Sequence, residues 1–236
     1  MPAKAGIQFF LPKRIMPTDT TAAALKAELK RLGETLPEVS RVRLHRAISW
    51  LKRAEQEAGD HDARFIFLWI AFNAAYAQEF GFEQPEREVL RSFLARLVKA
   101  DSANTLHQVV FKEFTGPVRL LIDNKFVFDP FWRALRDHDS SQQWGERFNR
   151  DKRAALRAVV GKDTVKVLEV VFDRLYVLRN QLVHGGATWN SKINRRQVTD
   201  GANLLHSLMP AIIALMLAHP EMDFGGIAYP VIDASM

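Results

Sequence analysis

Apolar side chains recur at spacings of three and four along most of the chain, which is the spacing of one face of an α-helix. The strongest pattern puts six apolar residues on one side of a single predicted helix: Val165, Leu168, Val171, Phe172, Leu175 and Leu178. Glycines and capping side chains bound the apolar segments. We therefore predict helices over residues 18–32, 41–58, 62–80, 85–100, 105–114, 118–122, 129–136, 144–160, 164–183 and 194–218.

The pattern predicts an all-α protein with the architecture of an up-and-down helical bundle. No run of alternating apolar and polar residues predicts a β-strand. Segment 62–80 is apolar on nearly every side, which indicates a central helix with neighbours all round. The last helix contains Gly201 and Pro210, and we expect an interruption at the glycine and a kink at the proline.

The spacing of the helices predicts one compact domain over residues 16–222. Within it, residues 101–150 break into short helices and are expected to form an irregular helical insertion or lid. Residues 223–236 contain glycine and proline and are expected to form a flexible tail.

The N-terminal residues 1–15 do not fit this domain. Their first ten residues, MPAKAGIQFF, resemble the translation of a dispersed bacterial intergenic repeat, which would make Met16 the true start. We expect 1–15 to be a non-native or disordered extension. Removing its three cations would halve the formal net charge of +6, so the basic balance alone does not indicate a nucleic-acid-binding protein.

The composition excludes cysteine chemistry, and the lengths of the apolar stretches argue against a membrane-spanning helix. The chain of 236 residues has no cysteine, which excludes disulfides, thiolate nucleophiles and Cys-ligated metal centres and fits a reducing compartment. The most apolar stretches, 65–77 and 204–218, contain polar residues and fall short of the roughly 20 residues of a spanning helix. We expect a cytoplasmic protein without a membrane anchor.

The end of the helix over 164–183 combines a cation, an amide and an imidazole: Arg179, Asn180 and His184 precede Gly185 and Gly186. Asn180 and His184 are four residues apart and share a face, whereas Arg179 and His184 are about 140° apart on an ideal helix. Arg179 and His184 can therefore meet only if the helix unwinds at His184 or if a two-fold axis brings in a second copy. A purely structural interpretation also fits, because cations and glycine commonly cap helix C-termini.

Arg179-Asn180-x-x-x-His184 resembles the signature of the HEPN superfamily, all-helical domains defined by an Arg and a His separated by four to six residues. The apolar segment FLWIAFNAAY over 67–76 is similar to the buried early helix of the branch called Apea-like HEPN, with its Trp69, Asn73 and Tyr76 at the same relative spacing. The order of these elements also matches, and the resemblance covers roughly residues 40–218.

The resemblance implies a bundle of the HEPN type and a metal-independent endoribonuclease assembled across a homodimer, in bacterial defence, stress response or a toxin–antitoxin pair. The RNA 2′-oxygen would attack the adjacent phosphorus and leave a 2′,3′-cyclic phosphate. His184 would move protons, because an unperturbed imidazole has a pKa of about 6.5. Arg179 would bind the phosphorane oxygens through paired hydrogen bonds. Asn180 would orient the imidazole or bind the phosphate.

Further residues are candidates for support and for RNA contact. Asn73 lies in an otherwise apolar helix and either braces the Arg179/His184 turn or bonds to backbone within the core. Four possible RNA-binding residues follow the glycines: Trp189, Lys192, Arg195 and Arg196. The three cations can contact phosphates and the indole can stack on a base, although a solvated helix start and a loop anchor are equally compatible.

Other chemistries are not supported. Asp60-His61-Asp62 and Asp137-His138-Asp139 each flank a histidine with carboxylates, but no further ligand follows at a metal-binding spacing. We expect no metal and no cofactor.

The expected partners are single-stranded or transfer RNA, a second copy of the chain, and an antitoxin or effector protein. Two alternatives stay open: a non-catalytic HEPN scaffold that binds RNA, nucleotide or a protein, and a structural dimer in which Arg179 and His184 only cap a helix.

Overall fold

The structure is a computed structural model that describes residues 20–77, 86–192, 194–227 and 229–231. The described residues form helices and no β-strand, which confirms the all-α prediction. The α-helices are α1 Ala22–Leu32, α2 Glu38–Glu55, α3 His61–Tyr76, α4 Glu86–Ala100, α5 Thr105–Gln108, α6 Thr115–Ile122, α7 Asp129–Arg136, α8 Gln143–Val160, α9 Thr164–Val183 and α10 Arg195–Ala218. The predicted extension 1–15 and the end of the predicted 62–80 helix lie outside the described residues.

Four long helices, α2, α3, α9 and α10, alternate in direction. The start of α2 meets the end of α3, where the Arg43 side chain donates to the Ala75 carbonyl at 3.0 Å. The Phe72 ring of α3 stacks on Phe172 of α9 with centroids 4.1 Å apart. Arg195, at the start of α10, pairs with Asp62, at the start of α3, so these two helices run parallel.

Helix α3 lies at the centre, as its all-round apolar pattern predicts. Its Phe65, Leu68 and Phe72 are fully buried, and it packs against α2, α9 and α10. Trp69 and Tyr76 are also buried, and Trp69 contacts both Phe72 and Phe172. This aromatic layer fixes the register of α9 against α3, and therefore the position of the Arg179/His184 turn.

Helix α10 is continuous through Gly201, so the predicted interruption there is wrong. The reason is packing. A Cβ atom at Gly201 would lie 2.9 Å from Leu175 Cδ2 and 3.0 Å from Phe65 Cε2, so glycine lets α10 approach α3 and α9 closely.

Helix α10 is long and apolar enough to cross a membrane by length and composition alone. However, 67% of its most apolar stretch is buried inside the protein, as in a core helix.

The middle of the chain contributes to the core. Fully buried side chains come from α5, from the π-helical turn Val109–Glu113 and from α6, among them Leu106, Val110 and Leu121. These elements pack against α9 and α10. The first half of the predicted insertion or lid, up to residue 127, is therefore part of the domain, because its apolar face completes the core around α9.

The first residues of the predicted flexible tail have specific partners. The Arg43 guanidinium donates to the carbonyls of Phe224, Gly225 and Gly226 at 2.9 to 3.1 Å. Phe224 is buried and packs edge-on against Phe93. Burial lowers the pKa of Arg43 to about 10. Residues 223–226 are thus held against the ends of α2 and α3.

A candidate functional site at the end of α9

The α9 terminus is a glycine-capped turn. His184 is the capping residue, Gly185 adopts φ +69°, and the Gly186 N–H donates to the Gln181 carbonyl at 2.7 Å. The Gly185 N–H reaches back to the Leu182 carbonyl at 3.4 Å, which completes the two hydrogen bonds of a Schellman motif. This left-handed glycine cap places the imidazole at the last turn of α9.

The helix stays intact up to His184, whose N–H donates to the Asn180 carbonyl at 3.0 Å. Unwinding therefore does not bring His184 toward Arg179. On a regular helix the two side chains start about 140° apart and about 7.5 Å apart along the axis. With the helix intact, Arg179 and His184 can share a site only if a second copy of the chain brings them together.

Arg179 and Asn180 form a pair. Arg179 Nη1 donates to Asn180 Oδ1 at 2.9 Å, and both side chains are half-buried. The amide thus orients the guanidinium, whereas the sequence led us to expect it to orient the imidazole or bind phosphate. The His184 side chain is exposed and makes no hydrogen bond or ion pair with any described residue.

An exposed face runs along the C-terminal half of α9. Tyr176, Asn180 and Val183 fall within about 60° of one another on the helix, with Arg179 on one flank and His184 on the other. Tyr176 is 40% exposed and Val183 is 50% exposed, a high value for large apolar groups. We call these five residues the α9 face. It places Tyr176, Asn180 and Val183 between the two candidate catalytic side chains.

The loop after the turn is attached to the start of α3. Trp189 Nε1 donates to Asp60 Oδ2 at 2.8 Å, and Asp62 Oδ2 accepts from Arg195 Nη1 at 2.5 Å and from the Asn190 N–H at 3.2 Å. Asp60 also caps α3 by accepting from backbone N–H groups. Hydrogen bonds from the Ala63 N–H and then from the Trp189 indole lower the pKa of Asp60.

These contacts divide the predicted RNA-binding residues into one that is held by Asp62 and three that are exposed. Arg195 is committed to Asp62 and is partly enclosed, so it serves the loop. Lys192 and Arg196 are exposed; Arg196 has only a 3.8 Å ion pair with Asp200. Trp189 is 74% exposed despite its hydrogen bond, which leaves the ring surface accessible. Trp189, Lys192 and Arg196 are therefore available to a ligand, and Arg195 is not.

Asn73 is not beside the turn. The Trp69–Tyr176 and Phe72–Phe172 ring contacts align it with the middle of α9, about 18 Å along the helix from His184. It is half-buried, and no hydrogen bond joins its side chain to the described part of the turn. The predicted bracing role has no contact to support it.

Sequence reasoning missed the residues that hold the turn. Gln181 donates from Nε2 to the Phe126 carbonyl at 2.6 Å and accepts from Asn194 Nδ2 at 3.0 Å, which ties α9 to the middle segment and to the start of α10. Asp60 and Asp62 were considered only as metal ligands. The available signal was the position of Asp60 just before an apolar helix and of Asp62 in its first turn, because Asp is common at both positions.

Asn180 also borders a cavity of about 330 Å³ whose walls include Trp69, Tyr76 and Tyr176. Arg87 and Arg133 line it as well, each paired with an aspartate. An aromatic wall with cations at its edge is compatible with an unpaired base and its phosphate.

Among the described residues, no group of three or more His, Asp or Glu side chains is placed to hold a metal ion. Arg179, Asn180 and His184 lie at one helix end and have no acidic partner within the described chain. Comparison with protein-family models, with curated proteins and with solved structures finds no match for this chain.

Proposed function

We propose that this chain is a metal-independent endoribonuclease of the HEPN type whose active site forms between two copies. The observation that carries the proposal is the α9 face. It presents a guanidinium and an imidazole at one helix end, neither paired with a carboxylate among the described residues, on either side of the exposed side chains of Tyr176 and Val183.

Each side chain has a defined role in this reaction. His184 removes the proton from the RNA 2′-hydroxyl, which attacks the adjacent phosphorus. Arg179 binds the phosphorane oxygens as negative charge builds up on them. The 5′-oxygen then leaves with a proton, and the products are a 2′,3′-cyclic phosphate and a free 5′-hydroxyl. A second imidazole is well suited to deliver that proton.

The second copy supplies what one chain lacks. A homodimer packed through the α9 face buries Tyr176 and Val183, which are 40% and 50% exposed in the single chain. The partner's own Arg179 and His184 then lie along the edges of the same contact, because a two-fold interface uses the same patch twice. The composite site thereby acquires two cations and two imidazoles.

RNA contact outside the reacting phosphate falls to the exposed residues of the following loop and of the first turn of α10. Lys192 and Arg196 bind backbone phosphates, and the accessible Trp189 ring stacks on an unpaired base. These contacts favour single-stranded RNA or the loops of transfer RNA, since bases in a duplex are already stacked.

The test is incubation of the purified protein with single-stranded RNA and transfer RNA in EDTA, beside the His184→Ala and Arg179→Ala variants. The proposal predicts cleavage by the wild type, 2′,3′-cyclic phosphate ends, and loss of cleavage in both variants without loss of folding. Cleavage that persists in His184→Ala contradicts the proposed role of the imidazole.

A second candidate function is an RNA-binding or nucleotide-binding scaffold without catalysis. One observation favours it: Arg179 is hydrogen-bonded to Asn180, and His184 serves as the cap of α9, so each has a structural role in the single chain. The scaffold predicts RNA binding without product formation in the same assay, with affinity reduced by Lys192→Ala and unaffected by His184→Ala.

A further inference from the structure

Arg174 is a buried cation on the opposite side of α9 from the exposed α9 face. It is only 2% exposed, and its guanidinium lies 4.5 Å from the centre of the Phe128 ring and 5.9 Å from that of Phe148. Such contacts stabilise the charge across the flat surface of the group. The N–H donors point outward in the plane of the guanidinium, so the rings do not satisfy them.

None of the guanidinium nitrogens of Arg174 donates a hydrogen bond to a described residue. Nε and Nη1 are fully enclosed and unpaired. Buried polar groups nearly always have partners, and an unpaired charged donor is especially costly. Burial lowers the pKa of Arg174, while Asp173 and Asp151 act in the opposite direction without forming a hydrogen bond.

Arg174 lines a cavity of about 430 Å³ between α4, α8 and α9. This volume falls in the range of small-molecule sites. Part of the wall is apolar and consists of Leu90, Phe128, Ala154, Ala155 and Val170. The cavity therefore offers an apolar surface next to a buried guanidinium that has no ion pair with a described residue.

The charges around the cavity indicate how much negative charge it accepts. Arg87 pairs with Asp173 at 2.6 Å, and Arg91 pairs with Glu169 at 3.2 Å. Asp151 also lines the cavity but lies within 3.3 Å of Arg150 and 3.7 Å of Arg147. Lys166 and Glu88, both exposed, also line the cavity, so its wall contains four cations and four carboxylates. Arg174 is the enclosed cation among them and has no ion pair within the described chain. One negative charge matches this arrangement better than two.

We infer that the Arg174 cavity binds a small, singly charged carboxylate attached to an apolar ring body. The carboxylate pairs with the positive charge of the guanidinium, and the ring body lies on the apolar wall beside Phe128. This inference goes beyond the proposed nuclease activity and does not depend on it, because the cavity contains neither Arg179 nor His184.

The test uses the full-length protein and three probes of the same ring size, namely 2-naphthoate, 2-naphthyl phosphate and the uncharged 2-naphthamide. Calorimetry and ligand-detected NMR at pH 8 measure binding to the wild type. We expect 2-naphthoate to bind at least about tenfold more tightly than 2-naphthamide, because a hydrogen-bonded charge is lost in the amide. We expect the doubly charged phosphate to bind more weakly than the carboxylate, since the acidic side chains of the wall repel it.

Three variants locate the site. Arg174→Met keeps the volume of the side chain and removes its donors, and Ala154→Trp fills the mouth of the cavity while leaving Arg174 in place. Both are expected to lose naphthoate binding by about tenfold or more. Arg157→Met removes an exposed arginine of α8 that does not line the cavity, and it is expected to bind as the wild type does.

The unliganded variants add a second readout. Replacing a buried, unpaired cation with an apolar residue of similar size is often neutral or stabilising, so the melting temperature of Arg174→Met is expected to equal or exceed that of the wild type. Equal binding of naphthoate and naphthamide, or unchanged naphthoate binding in Ala154→Trp, would overturn the inference. Tighter binding of 2-naphthyl phosphate would overturn its assignment to a single negative charge. If Arg174→Met fails to fold, Ala154→Trp alone decides.

Discussion

Arg179 and Asn180 are neighbours in sequence, and their side chains are hydrogen-bonded to each other, with Nη1 donating to Oδ1 at 2.9 Å. The amide therefore fixes the guanidinium on one flank of α9. His184 occupies the other flank, at the end of the same helix. In the proposed nuclease, Arg179 of one copy meets His184 of the other across the dimer contact.

Asn180→Ala removes the acceptor that orients Arg179. We expect cleavage to fall by about tenfold, because a guanidinium that must be ordered during the reaction binds the phosphorane less well. The free energy of unfolding should change by less than about 1 kcal/mol, since the side chain is only half-buried. The measurement is RNA cleavage together with urea unfolding. Asn149→Ala, at an exposed position on α8, is the control; an equal loss of cleavage there would contradict the account.

Gly185→Ala strains the turn that carries His184. An alanine at φ +69° costs about 1 kcal/mol of stability, and relief of the strain would rotate the imidazole. Gly145→Ala, in the first turn of α8 with no atom within 4 Å of the added Cβ, should instead stabilise the protein slightly. Urea unfolding of both variants tests the difference. A stabilised Gly185→Ala would show that the left-handed cap is not required.

The helices could be predicted closely because their signals are local. The bounds of α7 and α9 agree with the prediction to the residue, since Asp129-Pro130 and Asp163 mark helix starts and the apolar stripes are regular. Gly201 was misjudged, because an isolated glycine in a helical pattern indicates either a break or close packing. Only the positions of Leu175 and Phe65 in the folded protein distinguish the two.

The site was predictable only in part. The sequence located the residues at the end of α9, but it left two interpretations open for Arg195 and two for Asn73. It could not choose between them, because contacts between distant segments bear on both. The Arg195–Asp62 pair joins residues 133 positions apart, and spacing along one helix contains no information about it.

Val183→Asp tests the dimer. Val183 is half-exposed in the single chain, so an aspartate there should leave the monomer folded. Within a two-fold contact it would bury two like charges, and we expect dissociation and loss of cleavage. Sedimentation and the RNA assay measure the two effects. Val160→Asp, at a 79%-exposed position on α8, is the control, and a dimer that survives Val183→Asp would place the interface elsewhere.

Lys192→Ala should affect RNA binding, and Arg195→Ala should affect stability. Lys192 is exposed, so its loss should weaken RNA binding and lower the salt dependence by about one counterion, with no change in stability. Arg195→Ala leaves Asp62 without its cation and should lower the free energy of unfolding by about 1 to 3 kcal/mol. Filter binding over a range of salt concentrations and urea unfolding separate the two effects. Reversed outcomes would show that Arg195 contacts the RNA.

The most direct test of the composite site mixes two inactive variants. Arg179→Ala and His184→Ala are unfolded together, refolded as a mixture and assayed for RNA cleavage in EDTA. If Arg179 of one copy acts with His184 of the other, half of the dimers are mixed, and each has one such pair but lacks the second imidazole. Cleavage should therefore return above the level of either variant and stay below half of the wild-type activity. A mixture no more active than either variant alone, beside an active wild type, would contradict a site shared between two copies.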